Sequence, residues 1–231
     1  MFLKFSMNQT KNFNLISAQQ DIQILFQVCS CIGLPQKTIS FSWYLYFAIK
    51  EDNFFLEPDD MTLFSAIIIF ACKACETQRS PDKIIELTAQ AFSIELDPEI
   101  FEMYKAAINK TQVDLCEAID YRFEIIEIYN KLQTFCLNFK IDAAFSKRSW
   151  ILLNDMMSTP VCIYFTCDEI IASIIFINFV ATESINSSES LSNKELYEKF
   201  LEMYSLQSIS LECIEFIYNY ILNFYQISKS S

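Results

Sequence analysis

Three observations predict an all-α protein. One glycine and five prolines in 231 residues leave almost none of the punctuation that hairpins, phosphate loops and nucleotide-binding turns require. Helix starts are instead written as caps, at Ser80-Pro81-Asp82, Asp97-Pro98, Thr166-x-x-Glu169 and Ser192-x-x-Glu195. Finally, 52% of the residues are apolar, enough to fill the core of one large domain or of two domains of about 100 residues each.

Taken in order, the expected helices cover 19–32, 38–52, 59–76, 81–92, 110–122, 129–140, 144–157, 167–181, 193–204 and 209–226. The only glycine, Gly33, falls between the first two, where a positive φ ends a helix without strain. The third is the most apolar stretch, LFSAIIIFACK. Ser80 caps the fourth, with Pro81 at its first position and Asp82 at the positive end of its dipole. The two capping boxes precede IIASIIFINF and LYEKFLEMY, and the Ser- and Asn-rich segment VATESINSSESLSN between those runs reads as a loop.

An internal echo divides this series in two. Ser42-Trp43-x-Leu45 recurs as Ser149-Trp150-x-Leu152, and these are the only two tryptophans. At a shift of 106, Ala66, Ile68, Ile69 and Phe70 coincide with Ala172, Ile174, Ile175 and Phe176. Paired order and spacing point to a duplicated five-helix unit whose third helix is the hub. The small residues Ala66 and Ala172 would let neighbouring helices approach that hub.

Composition also excludes functions. Without histidine there is no Ser-His-Asp or Cys-His catalysis and no His-ligated zinc. A net charge of −12 argues against a phosphate backbone or an anionic membrane and favours a protein partner. The N-terminus, MFLKFSMNQTKNF, has no uninterrupted apolar run of signal-peptide length, and no apolar run is long enough to span a bilayer. A soluble, intracellular chain is therefore expected, with nine reduced cysteines. Cys72-x-x-Cys75 would supply half of a four-thiolate site, but no second Cys-x-x-Cys completes it. Spacing of i, i+3 suits packing equally well, so neither a metal nor a cofactor is expected.

Order and spacing carry a resemblance to a known family. The run IQILFQVCSCIGLPQKTISFSWYLYFAIKEDNFF resembles the first two helices of transcription-type cyclins. FACKACETQRSPDKII is similar to the cyclin-box segment in which a Lys and a Glu-Glu-Thr end the third helix; Lys73, Glu76 and Thr77 match, and Cys75 replaces the first Glu. YRFEI at 121–125 looks like the link into a second box. SWILLNDMMSTPVCIYFTCDEIIASIIFINF and ELYEKFLEMYSLQSISLECIEFIYNYILNFY resemble that box's central and closing helices in the cyclin K, L, T and C group.

The resemblance implies a tandem pair of five-helix cyclin boxes: an extension at 1–18, a kinase-binding first box at 19–125, a second box at 126–226 and a tail at 227–231. It implies a nuclear protein, or one shared between nucleus and cytoplasm, that is no enzyme but activates a cyclin-dependent kinase as its heterodimer partner. No nucleic acid or membrane is contacted directly. In such proteins a paired Lys and Glu on helices 3 and 5 reach main-chain groups beside the kinase's regulatory helix. The Lys maps to Lys73, with Glu76 beside it, and the Glu to Asp114, or to Glu117 if the fifth helix has slipped by a turn. Phe70, Ala74, Ala118, Phe123 and Ile125 map to the surrounding apolar pocket, two of them alanines that would widen it. The substrate-recruiting patch of cell-cycle cyclins has its place held by Ser17-Ala-Gln-Gln-Asp21, so such docking is not expected.

As bare residues these positions read more plainly. Lys73 would cap a helix C-terminus, Asp114 and Glu117 would be solvated acids, and Phe123 would be core. Two other roles stay open: a cyclin-fold general transcription factor, disfavoured by the charge, and a kinase-independent scaffold, for which Cys75 leaves room.

Overall fold

The computed structural model describes residues 15–52, 58–186, 198, 200–201 and 210–230. Helices among these are α1 (Leu15–Cys31), α2 (Gln36–Asp52), α3 (Asp60–Ala74), α4 (Pro81–Ala91), α5 (Pro98–Ala118), α6 (Ile128–Asn138), α7 (Ala143–Met157), the single turn α8 (Val161–Tyr164), α9 (Cys167–Asn186) and α10 (Leu211–Ser230), with a 3-10 turn at Glu124–Glu127 before α6. No strand occurs among the described residues. Of the helix expected at 193–204, only Glu198, Phe200 and Leu201 are described, and they are helical; the capping box Ser192-x-x-Glu195 lies outside the described residues.

Two compact units divide the chain. The first holds α1 to α5 and the turn as far as Ile126, together with Ser158–Tyr164; the second holds Glu127–Met157 and the chain from Phe165 onward. In the first, α3 touches α1, α2, α4 and α5. Every residue from Met61 to Cys72 is buried, which only a helix enclosed on all sides permits. Ala66 is fully inaccessible at its centre. In the second unit α9 has the same role, touching α6, α7 and α10, with Ala172 buried. Each fully buried Ile or Phe on these hubs contributes about 1.5–3 kcal/mol relative to exposure.

Caps fall where the sequence places them. The side-chain oxygens of Ser80, Asp97 and the Thr166–Glu169 box all accept from backbone amides at their helix starts. In the box, Glu169 accepts from the Thr166 amide at 2.8 Å and the Thr166 hydroxyl accepts from the Glu169 amide at 3.3 Å. C-termini are closed by left-handed residues: Gly33, and also Glu76, Ser93, Asp120, Tyr121 and Lys140, with φ between 51 and 68°. A sequence with one glycine thus ends its helices on residues that bear some strain in that region.

Two expectations are corrected. The fifth helix was expected at 110–122 but runs from Pro98 to Ala118, starting at the Asp97 cap. Only its second half carries a buried stripe, Ile108, Thr111, Gln112 and Leu115, so the periodic signal begins late. Its end comes earlier because Asp120 and Tyr121 turn left-handed. The turn α8, absent from the expected series, follows Pro160 and packs on α2 within the first unit.

Candidate functional site

The site is built at the C-terminal end of α3. There Lys73 ends the helix, its charge favoured by the negative end of the dipole, and the chain turns left-handed at Glu76. The loop after it is tied back firmly. Thr77 and Thr38 share a hydrogen bond of 2.8 Å, and Arg79 donates to the carbonyls of Ile32 and Gly33 at 3.1 and 2.7 Å. The basic turn therefore holds the α1–α2 corner.

Lys73 Nζ donates to Gln112 Oε1 at 2.8 Å. Gln112 belongs to the buried stripe of α5, and its amide nitrogen donates inward to Ile108 O and Asn109 Oδ1. That inward engagement leaves the amide oxygen for the lysine. Neither Asp114, half-buried, nor Glu117, exposed, forms an ion pair with Lys73 among the described residues. Gln112 was not among the expected residues, yet a signal existed: with Thr111 it is one of two polar members of an i, i+3, i+4, i+7 stripe on α5.

Beside Lys73 lies an open pocket of about 390 Å³ lined by Phe70, Lys73, Ala74, Phe123 and Ile126. Its floor is a three-ring cluster: Phe41, Phe70 and Phe123 have centroids 6.2–6.4 Å apart in tilted arrangements. Phe41 and Phe70 are buried, whereas Phe123 keeps 36% of its surface. The left-handed pair Asp120–Tyr121 and the hydrogen bond from Tyr121 N to Cys116 O turn the chain so that Phe123 returns over α3. Of the expected pocket residues, Phe70, Ala74 and Phe123 are brought together with Lys73. Ile125 is buried and Ile126 lines the pocket instead, while Ala118 is half-buried outside the lining. Exposed Glu76 lies at the left-handed corner.

The thiols behind the site are inert. Burial pushes Cys29 up to about 12 and Cys72 up to about 11. Among the described residues, no group of three or more acids, cysteines or histidines is placed to hold a metal ion. Likewise, no described helix is long and apolar enough to cross a membrane.

No family model matches this sequence, and no curated protein matches it. Solved structures do. The crystal structure of the yeast RNA Pol II CTD kinase CTDK-1 complex contains a chain similar to this one, with a TM-score of 0.73 and 18% identity over 97% of this chain and 72% of that chain. The fold is cyclin-like. Two all-α units, each arranged around a buried third helix, agree with the tandem cyclin boxes expected from the sequence. The pocket lies at the end of the first unit's hub helix, beside α5.

Proposed function

We propose that this chain is the non-catalytic regulatory subunit of a cyclin-dependent kinase acting in transcription, with the RNA polymerase II C-terminal repeat as the substrate of the pair. One observation carries the reading: an apolar pocket with a single cation on its rim, at the α3–α5 corner of a cyclin-like first unit. An apolar side chain on the kinase's regulatory helix would fill the space over Phe70, Ala74 and Phe123. Lys73 would donate to main-chain carbonyls beside that helix. Holding the helix inward completes the kinase's own Lys–Glu ion pair and releases its activation segment, a two-state element biased by binding. The similar chain from a CTD kinase complex supports the class of partner, and such a kinase implies a nuclear location.

Asp114, Glu117, Glu76, Ala118 and Ile125 complete the proposed contact surface around the pocket. The observed pairing gives the scaffold reading one support: Lys73 is held by a neutral amide rather than a carboxylate. Co-purification separates the two. Lys73→Glu places like charge against carbonyl oxygens and is expected to cost about 2–5 kcal/mol of kinase binding while leaving the helical circular dichroism unchanged. A Lys73→Glu chain that still co-purifies with its kinase at the wild-type ratio overturns the reading.

A further inference from the structure

Two positions in the chain put a hydroxyl side chain directly before a proline: Ser80-Pro81 and Thr159-Pro160. The structure separates them. Thr159 is only 2% exposed, and its carbonyl accepts from Cys162 N at the start of α8. Ser80 is exposed, as is every residue from Gln78 to Lys83.

Backbone conformation distinguishes Ser80 further. A proline disfavours helical geometry at the residue before it, and Ser80 is extended, with φ −69° and ψ 120°. Residues 77–80 belong to no helix. An exposed, extended serine followed by proline is the form in which a proline-directed kinase takes its substrate. Little holds Ser80 in its capping place. Its hydroxyl accepts from Lys83 N at a long 3.4 Å, and its carbonyl accepts from Ile84 N at 3.2 Å. Pro81 has no N–H to lose, so freeing Ser80 from the cap breaks those two bonds.

The modified side chain would find a prepared place. A phosphoserine carries about −1.5 to −2 charges at neutral pH, with three acceptor oxygens. At the start of α4 that charge meets the positive end of the dipole of an 11-residue helix and the backbone amides of its first turn. Lys83, in an exposed pair with Glu86 at 3.2 Å, is free to turn toward it, because such a pair holds its partners weakly. The acid of that first turn, Asp82, is matched by Lys105 at 3.0 Å.

We propose that Ser80 is a phosphoacceptor for a proline-directed Ser/Thr protein kinase, with a nucleoside triphosphate as donor. Ser80 Oγ forms a bond to the γ-phosphorus as the bond from that phosphorus to the β–γ bridging oxygen breaks. The nucleoside diphosphate leaves, and the hydroxyl proton passes to the kinase's catalytic carboxylate. The product is a phosphoserine cap that fastens the start of α4 and adds negative charge to the loop leaving the α3–α5 corner.

The test incubates the native full chain with a purified proline-directed kinase and γ-labelled ATP, and maps the label by mass spectrometry of proteolytic peptides. A synthetic peptide of residues 76–86 is treated alongside. Both should take phosphate at Ser80, and the chain should take none at Thr159. Ser80→Ala should lose the label and Ser80→Thr keep it, while Pro81→Ala should lose it although the hydroxyl remains. The phosphorylated chain should melt above the unmodified one, and the gap should narrow as salt rises. A labelled peptide beside an unlabelled chain, no label on either, label at Thr159 of the folded chain, label that survives Pro81→Ala, or a lower melting temperature after phosphorylation would each overturn the proposal.

Discussion

At the scale of single residues, the informative positions are those whose chemistry depends on their surroundings. Cys72-x-x-Cys75 looks like a redox or metal motif, and burial decides otherwise: Cys72 and Cys29 pack in the core as protonated thiols. Native protein treated with a maleimide at neutral pH should react at exposed Cys31 and spare Cys29, Cys72 and Cys162, as peptide mapping would show. The same shifts set an alkaline limit. Below about pH 9 folded and unfolded chains hold these protons equally. Above it the unfolded chain releases them first, so stability falls as pH rises toward 11–12, by about 1.4 kcal/mol per pH unit for each thiol. Urea melts at stepwise pH should show that decline, and it should be smaller in Cys29→Ala than in wild type, each measured against its own stability at pH 8. Lys73 was legible in the sequence because the neighbouring Glu76-Thr77 fixes its register. Gln112 was not, because an acid was expected on α5 opposite Lys73 and the partner there is a neutral amide.

At the scale of elements, the chain shows how helices start and stop with almost no glycine. Gly33 has φ +68° and open space around its missing Cβ, so Gly33→Ala is penalised by backbone conformation alone, about 1–2 kcal/mol. Ser93 occupies the same region at φ 56°, with Ile94 N donating to Ala89 O behind it. Ser93→Gly should therefore raise stability, by about 0.5–1 kcal/mol, and the two variants should move Tm in opposite directions. Thr166→Ala removes one half of the capping box on α9 and is expected to cost about 0.5–2 kcal/mol in denaturant melts. These caps were readable because a cap is a local device of two or three residues. The start of α5 was misplaced despite its Asp97-Pro98 signal, because its first half is only half-buried at Ile100, Phe101 and Tyr104 and no residue before Ile108 is buried. Short α8 had no signal beyond Pro160, and its existence depends on packing against α2.

At the scale of the whole molecule, the sequence carries the architecture more clearly than any motif does. An apolar hub helix occurs twice at a fixed shift, and in the structure each copy is the buried centre of its own unit. The repeats then diverge at their surfaces. Trp43 is covered while Trp150 is exposed, a difference that composition cannot reveal because it depends on the neighbouring helix. One further contrast follows from this asymmetry. Only the first unit's hub ends in a lysine beside an aromatic floor; the second unit's hub runs on through Phe179 into Thr182 without a cation in its last turn.

The central claim is that this chain switches on a kinase through the α3–α5 corner. The direct measurement adds purified chain to an isolated transcriptional cyclin-dependent kinase and follows phosphate transfer to a C-terminal-repeat peptide. For the partner kinase, activity should rise at least about a hundredfold and saturate at one chain per kinase, and Lys73→Glu should abolish the rise. No stimulation of any such kinase, or stimulation that Lys73→Glu leaves intact, would contradict it.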